Sequence, residues 1–327
     1  MANQTSVTAS PSTVYIVVET VTGMTAVLGN ILVIWAVRLN PRLQNTTFYF
    51  IVSLALADLA VGVLVMPLAI IISLGIHFHF YACLFMCCLI IILTNASILS
   101  LLAIAVDRYL RIKIPIRYKF VITPTRTCLS ILAIWILSFV SGLVPMFGWN
   151  NRSCLKEEHQ EYLNCTFERV MSMEYMVYFN IFGWVFLPLI IMLILYIEIF
   201  YLIRKLLRQN PPGSIGKGMF YGKEYKTAKS LALVLLLFAS CWLPLSILNC
   251  VAYFYPDVKK LRIYLPTIFI FILLSHGNSA MNPIIYAFRI KKFKETYIQI
   301  IKTIIMHKAV MIDTVMAEHT MDEISQN

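Results

Sequence analysis

Charge is scarce in this chain. Asp, Glu, Lys and Arg make up 13% of 327 residues, about half the share of a soluble domain. Hydrophobic residues reach 60%, against roughly 45–50% in soluble proteins. That balance excludes an ordinary soluble enzyme, a disordered chain and a collagen-like fibre. Cysteine is also sparse, with eight residues and no pairing of the zinc-binding kind, so neither a disulfide scaffold nor a zinc module is expected. Acidic residues are outnumbered and net charge is +11. The basic residues sit between long apolar runs, so the excess reads as membrane topology rather than nucleic-acid binding. Residues 1–13 contain no Lys or Arg and no cleavable signal follows, so the first run reads as an uncleaved signal anchor.

Seven apolar runs fall near 14–37, 48–72, 83–106, 127–147, 175–203, 230–254 and 263–287. Each is long enough for a membrane-spanning helix, which needs about 20 residues. They are too continuous for β-barrel strands, and no inverted repeat is visible. The expected fold is therefore an all-α seven-helix bundle. It divides into an extracellular N-terminus (1–13), the bundle (14–288) and a cytoplasmic tail (289–327). With the N-terminus outside, 21 of the 27 Lys and Arg residues fall in inner segments, as the positive-inside rule requires. The sequons at Asn3, Asn151 and Asn164 then lie outside as glycosylation candidates, and that at Asn45 lies inside. Pro211-Pro212-Gly213 marks a flexible inner loop.

Ionisable groups at membrane depth are costly and are functional candidates by default. Asp58 lies mid-span, as do Asn30, Ser97, Asn278, Ser279 and Asn282. Together they read either as a hydrated cluster for a small cation such as Na⁺ or as a structural hydrogen-bond network. Glu19 and His276 are placed about one turn inside the outer ends of the first and seventh runs. They read as a cavity-side pair or a packing contact. Pro67, Pro188, Pro244 and Pro283 interrupt spans and predict bends, with Trp242 beside one of them. Asp107-Arg108-Tyr109 ends the third run, and Glu224 opens the sixth within reach of Arg108. Such an ion pair would be a two-state element. Cys83 and Cys165 both lie outside, where a disulfide is chemically allowed; Cys154 shares the loop. His77 and His79 have strand-like spacing but lack a third metal ligand. Past the seventh run, apolar Phe293, Tyr297, Ile300, Ile301, Ile304 and Ile305 alternate with lysines, which predicts an amphipathic helix on the inner leaflet.

Asp107-Arg108-Tyr109, Cys241-Trp242-Leu243-Pro244 and Asn282-Pro283-Ile284-Ile285-Tyr286, set in seven spans, resemble the rhodopsin-like G-protein-coupled receptors. Within them, FYFIVSLALADLAVGVLVMP (48–67), AIAVDRYLRIKIP (103–115), PMFGWN (145–150), SMEYMVYF (172–179) and SHGNSAMNP (275–283) resemble the adenosine receptors, nearest the inhibitory types three and one. The resemblance implies ligand residues. Asn249 would pair with the adenine edge, since an amide offers a donor and an acceptor together. Phe167 would stack on the ring, and Glu168 would reach the exocyclic amine. Thr94, Ser275 and His276 would face ribose. Leu245, Met176 and Ile272 would form walls, with Trp242 as floor. It also implies a sodium site at Asp58, Ser97 and Asn278. The implied activation switch comprises Asp107, Arg108, Tyr109, Glu224, Pro244, Asn282, Pro283 and Tyr286. The implied partners are adenosine, an inhibitory heterotrimeric G protein, arrestin, receptor kinases and the bilayer of the plasma membrane, without nucleic acid. No cofactor is implied beyond Na⁺.

Departures are visible. Ser246 stands where several adenosine receptors carry His and matches type three, whereas Asn180 and Glu168 look like type one. The tail has no cysteine for palmitoylation. Other readings fare worse. An amine receptor would want a carboxylate at Ile90, and an opsin a lysine at His276. A transporter or proton relay would need more than Asp58 alone. The expectation is thus a receptor and not an enzyme. Thr303, Thr314, Thr320 and Ser325 are weak phosphorylation candidates.

Overall fold

The structure, a computed structural model, describes residues 13–41, 46–155, 161–209, 217–290 and 292–303. Seven long helices form a bundle: α1 (Thr13–Leu39), α2 (Thr46–Ser73), α3 (Phe80–Lys113), α4 (Pro124–Phe147), α5 (Tyr175–Gln209), α6 (Lys217–Phe254) and α7 (Tyr264–Arg289). All seven contain stretches long and apolar enough to cross a membrane. They match the seven apolar runs, extended by up to a few turns where polar helix continues past the hydrocarbon. A further helix, α8 (292–303), follows α7. Its Phe293 and Ile300 are buried against the bundle, while Ile298 and Ile301 are exposed. Asn3, Asn45, Pro211-Pro212-Gly213, Lys291, Ile304, Ile305, Thr314, Thr320 and Ser325 lie outside the described residues.

The outer faces of the helices carry exposed Leu, Ile, Val and Phe, for example Leu129, Leu132, Ile136 and Val140 on α4. In water such a surface would drive aggregation; against lipid tails it carries no penalty. α3 is the exception. It is 67% buried along its apolar window, compared with 28–44% in the others, and it forms the axis of the bundle. Its contact with α4 depends on Gly142: a Cβ there would stand 2.5 Å from Ile92 Cγ1 and 3.0 Å from the Ile92 backbone nitrogen.

Two helices depart from α geometry. Val61–Val65 in α2 and Tyr175–Phe186 in α5 are π-helical, a widened winding that is frequent at functional sites. Pro67 follows the first π segment and Pro188 the second, so both sit where the regular ladder is already disturbed. Pro244 and Pro283 lie inside α6 and α7. The Pro283 ring packs on Gly29 of α1, where a Cβ would approach it to 2.9 Å.

At one end of the bundle, β1 (His77–His79) pairs antiparallel with β2 (Tyr162–Asn164). The histidines keep the strand-like spacing expected of them, and the described residues contain no metal-binding cluster. Cys165 follows β2 and is disulfide-bonded to Cys83 in the first turn of α3. Cys154 is exposed and free. This is the disulfide end; the opposite one, where α3 carries Arg108, is the arginine end.

Candidate functional site

A cavity of ≈580 Å³ opens at the disulfide end. The β1–β2 pair and the disulfide hold the loop before α5 across its mouth, which sets Phe167 on the cavity wall. Asn249 and Leu245 reach it from α6, Ile272, Ser275 and His276 from α7, Thr94 from α3 and Met176 from α5. Trp242 forms the base, its ring lying along Phe238 at 6.2 Å between centroids. All ten residues expected to contact a ligand therefore line one cavity.

The hydroxyls are pre-committed as donors. Thr94 Oγ1 donates to the Ile90 carbonyl at 2.8 Å, and Ser275 Oγ to the Ile272 carbonyl at 2.7 Å. Each keeps acceptor lone pairs for a donor in the cavity. Glu168 is held at the mouth: its Oε1 lies 3.0 Å from Lys259 Nζ and accepts from the Tyr264 hydroxyl at 3.3 Å. The acid expected to reach an amine thus already has a partner from the α6–α7 loop. Sequence reading missed Tyr15, Met173, Leu265, Ile268 and Phe269, which also line the cavity. Apolar side chains in apolar helices give no sign of which face turns inward.

His276 Nδ1 and Glu19 Oε1 are hydrogen-bonded, with both side chains buried. The pair exists, but its depth corrects the expectation of one turn. Glu19 lies six residues into α1, and His276 twelve residues into α7. The run at 263–287 and α7 begin within one residue of each other, so His276 lies more than three turns from the outer end in both.

Below Trp242 lies a second, small cavity of ≈10 Å³, bordered by Ser97, Asn278 and Ser279. That is about the space for one water-sized particle. Beside it, Asp58 is fully buried. Its Oδ1 accepts from Ser279 at 2.9 Å and from Ser97 at 3.5 Å, and its Oδ2 accepts from Asn282 Nδ2 at 2.7 Å. Asn30 joins the cluster by donating to the Ser279 carbonyl at 3.0 Å. Asn278 Oδ1 is buried without a hydrogen-bond partner. One carboxylate, serine hydroxyls and an orphaned amide oxygen form a hard-oxygen set suited to a small hard cation. The residues present fit Na⁺.

At the arginine end, Arg108 is almost fully enclosed. Its Nη2 lies 2.9 Å from Asp107 Oδ2 and its Nη1 3.2 Å from Glu224 Oε2. Arg111 Nε holds the other Glu224 oxygen at 2.9 Å. Thr47 donates to Asp107 Oδ2 at 2.6 Å and also touches Arg108. The Tyr118 hydroxyl donates to Asp107 Oδ1 at 2.7 Å. Burial and the Asp107 charge push the Tyr118 phenol above its ordinary 10.0. Tyr109 stands apart, under Lys113, whose Nζ lies 5.8 Å from the ring centre. Further up α7, Asn282 belongs to the Asp58 cluster, Pro283 packs on Gly29, and Tyr286 stacks on Phe293 of α8 at 5.5 Å.

Two sequons lie among the described residues. Asn151 Nδ2 donates to the Glu168 carbonyl at 3.0 Å and the Met171 carbonyl at 2.8 Å, stapling the mouth loop. Asn164 lines the large cavity, and its Oδ1 is buried without a partner.

The profile described as "7 transmembrane receptor (rhodopsin family)" matches residues 29–286. The chain is 59% identical over 295 residues to a protein of Ovis aries named "Adenosine receptor A3", covering 90% of this chain and 92% of that one. It is 57% identical over 304 residues to the protein of that name in Bos taurus (93% and 94% covered). The figure for Canis lupus familiaris is 60% over 292 residues (88% and 91% covered). The chain is therefore a multi-pass membrane protein that belongs to the rhodopsin family of seven-transmembrane receptors and, within it, to the adenosine receptors.

Proposed function

We propose that the chain is a plasma-membrane receptor for extracellular adenosine that activates an inhibitory G protein and so lowers adenylate cyclase activity. It is a receptor rather than an enzyme, as its family membership states. One observation carries the ligand assignment: Asn249, Phe167 and the hydroxyl-bearing Thr94 and Ser275 line a single cavity of ≈580 Å³. That volume lies within the roughly 300–1,000 Å³ of small-molecule sites. Asn249 offers the donor–acceptor pair that an adenine edge needs, Phe167 the stacking face, and Thr94 and Ser275 acceptors for ribose hydroxyls. The distribution of Lys and Arg supports an extracellular N-terminus, which turns the disulfide end outward and Arg108 toward the cytoplasm.

The ion cluster at Arg108 is the resting lock. Adenosine must bind more tightly to the arrangement in which that lock is open. Trp242 joins the large cavity to the Asp58 cluster, because it borders both the large cavity and the small one beside Asp58. Asp58, Ser97 and Asn278 would hold Na⁺ in the resting arrangement. Arrestin and receptor kinases would act at the same inner face.

The test is adenosine-stimulated nucleotide exchange on an inhibitory G protein in membranes carrying this chain. Stimulation in the parent, and its loss in Asn249→Ala at matched surface expression, is the expected result. No stimulation at saturating adenosine with folded receptor at the surface overturns the pairing of adenosine with the inhibitory protein.

A further inference from the structure

The turn that presents Phe167 to the cavity is a helix of only four residues, Phe167–Val170. So short a helix cannot satisfy its own carbonyls, and its C-terminal end depends on donors from elsewhere. One residue supplies them. The Asn151 backbone N–H donates to the Val170 carbonyl at 3.1 Å. Its side-chain Nδ2 donates to the Glu168 carbonyl at 3.0 Å and to the Met171 carbonyl at 2.8 Å. Three of the four carbonyls from Glu168 to Met171 are thus bonded by Asn151.

Asn151 is itself held in place. Asn150 Nδ2 donates to the Pro145 carbonyl at 2.8 Å, at the end of α4, and Asn150 Oδ1 accepts from the Arg152 backbone N–H at 3.0 Å. The Arg152 guanidinium donates to the Tyr81 hydroxyl of α3 at 2.7 Å. The clasp therefore ties the turn to two helices of the bundle. On its other side the turn is tied by the Cys165 disulfide, two residues before Phe167. Glu168 has Lys259 and Tyr264 as further partners, so the Phe167 ring is what depends on the clasp. A loop without it would have to be ordered at the moment of binding, at an entropic cost.

Asn151 also heads a sequon. A side-chain amide has two hydrogens, and Nδ2 gives one to each of two carbonyls. An N-linked sugar replaces one of those hydrogens. A glycosylated Asn151 could keep at most one of the two bonds, with a bulky group set against the turn.

We propose that Asn151 is a positioning residue for the ligand site, and that the binding-competent chain carries it without sugar. Asn151 does not itself line the cavity; it acts by fixing Phe167 on the wall. This role rests on the adenosine reading of that cavity.

The test has two arms, and the first needs no ligand. The full chain is purified from the surface of cells that glycosylate. It is treated with peptide-N-glycosidase in heavy-oxygen water, which turns a sugar-bearing Asn into labelled Asp. Residue 151 is expected to return as unlabelled Asn. Hydrogen exchange across 167–172 should quicken in Asn151→Ala and stay unchanged in Ser153→Ala, which removes the sequon and leaves the amide. The second arm reads the adenosine concentration for half-maximal nucleotide exchange at matched surface expression. Asn151→Ala should raise it about tenfold, the scale of one or two lost hydrogen bonds, and Ser153→Ala should not move it. In a Phe167→Ala background, Asn151→Ala should add about twofold or less, because its effect passes through that ring. A general weakening of the fold would act equally in both backgrounds. Asn151→Asp, which keeps the size but cannot donate, takes the place of Asn151→Ala if that variant does not reach the surface. Labelled Asp at 151, unchanged exchange at 167–172, or full additivity with Phe167→Ala overturns the proposal. A parent that ignores adenosine overturns the adenosine reading instead, and quickened exchange in Asn151→Ala then still supports the clasp.

Discussion

At the level of single residues, the side chains that lipid makes expensive were the most legible. Asp58, Glu19 and Arg108 stand out in an apolar text because an isolated charge there needs a partner, and each has one in the structure. The Tyr118–Asp107 bond was not legible, because it depends on how the loop after α3 folds back. Both contacts have consequences. Glu224→Gln weakens a buried ion pair and loosens α6 from α3. Basal nucleotide exchange without adenosine should rise about fivefold or more, the equivalent of about 1 kcal/mol of bias. Tyr118 holds its proton in the folded chain where a free phenol would lose it, since its pKa is raised. Its contribution to stability is full below pH 10 and is lost as pH climbs above that value. Thermal melts in detergent between pH 8 and 11 should therefore fall more steeply for the parent than for Tyr118→Phe.

At the level of elements, length and hydropathy sufficed to count the spans, because lipid demands about 20 apolar residues in each. They did not reveal the helices' inner faces, because lipid-facing and core-facing residues are equally apolar. Nor did they reveal the π segments of α2 and α5, VGVLV and YMVYFNIFGWVF, which read as apolar as the rest of their runs. The close approach of α3 and α4 is a similar case. In the sequence Gly142 is one small residue among many, whereas in the bundle its missing Cβ is what lets α4 meet the Ile92 backbone. Gly142→Ala should cost about 1–3 kcal/mol by overpacking. A lower melting temperature for the purified receptor would register it, and the penalty should be smaller in an Ile92→Ala background, which lacks the contacting Cγ1.

At the scale of the whole molecule, the large cavity, the Asp58 cluster and the Arg108 lock are stacked along one axis. Trp242 links the first two levels, and Asn282 belongs to the second. Reciprocity follows if Na⁺ and adenosine favour opposite arrangements: each must weaken the other by the same factor. Replacing choline by sodium at constant ionic strength should lower adenosine affinity about fivefold or more. Asp58→Asn should remove that sodium dependence, as read by radioligand competition. The ordering of motifs along this axis was visible in the sequence, but the strap of Glu168 to Lys259 across the mouth was not. It joins two loops whose relative position only the closed bundle fixes.

Were the Asn164 sequon used, its placement would set sugar transfer against folding. Oligosaccharide transfer acts on a chain that is still emerging into the secretory lumen, whereas the pairing of β1 with β2 and the Cys83–Cys165 bond come with folding. A sugar attached first would occupy the mouth of the cavity that Asn164 lines. A chain so modified would be heavier than its unmodified copy and would carry its doorway already filled.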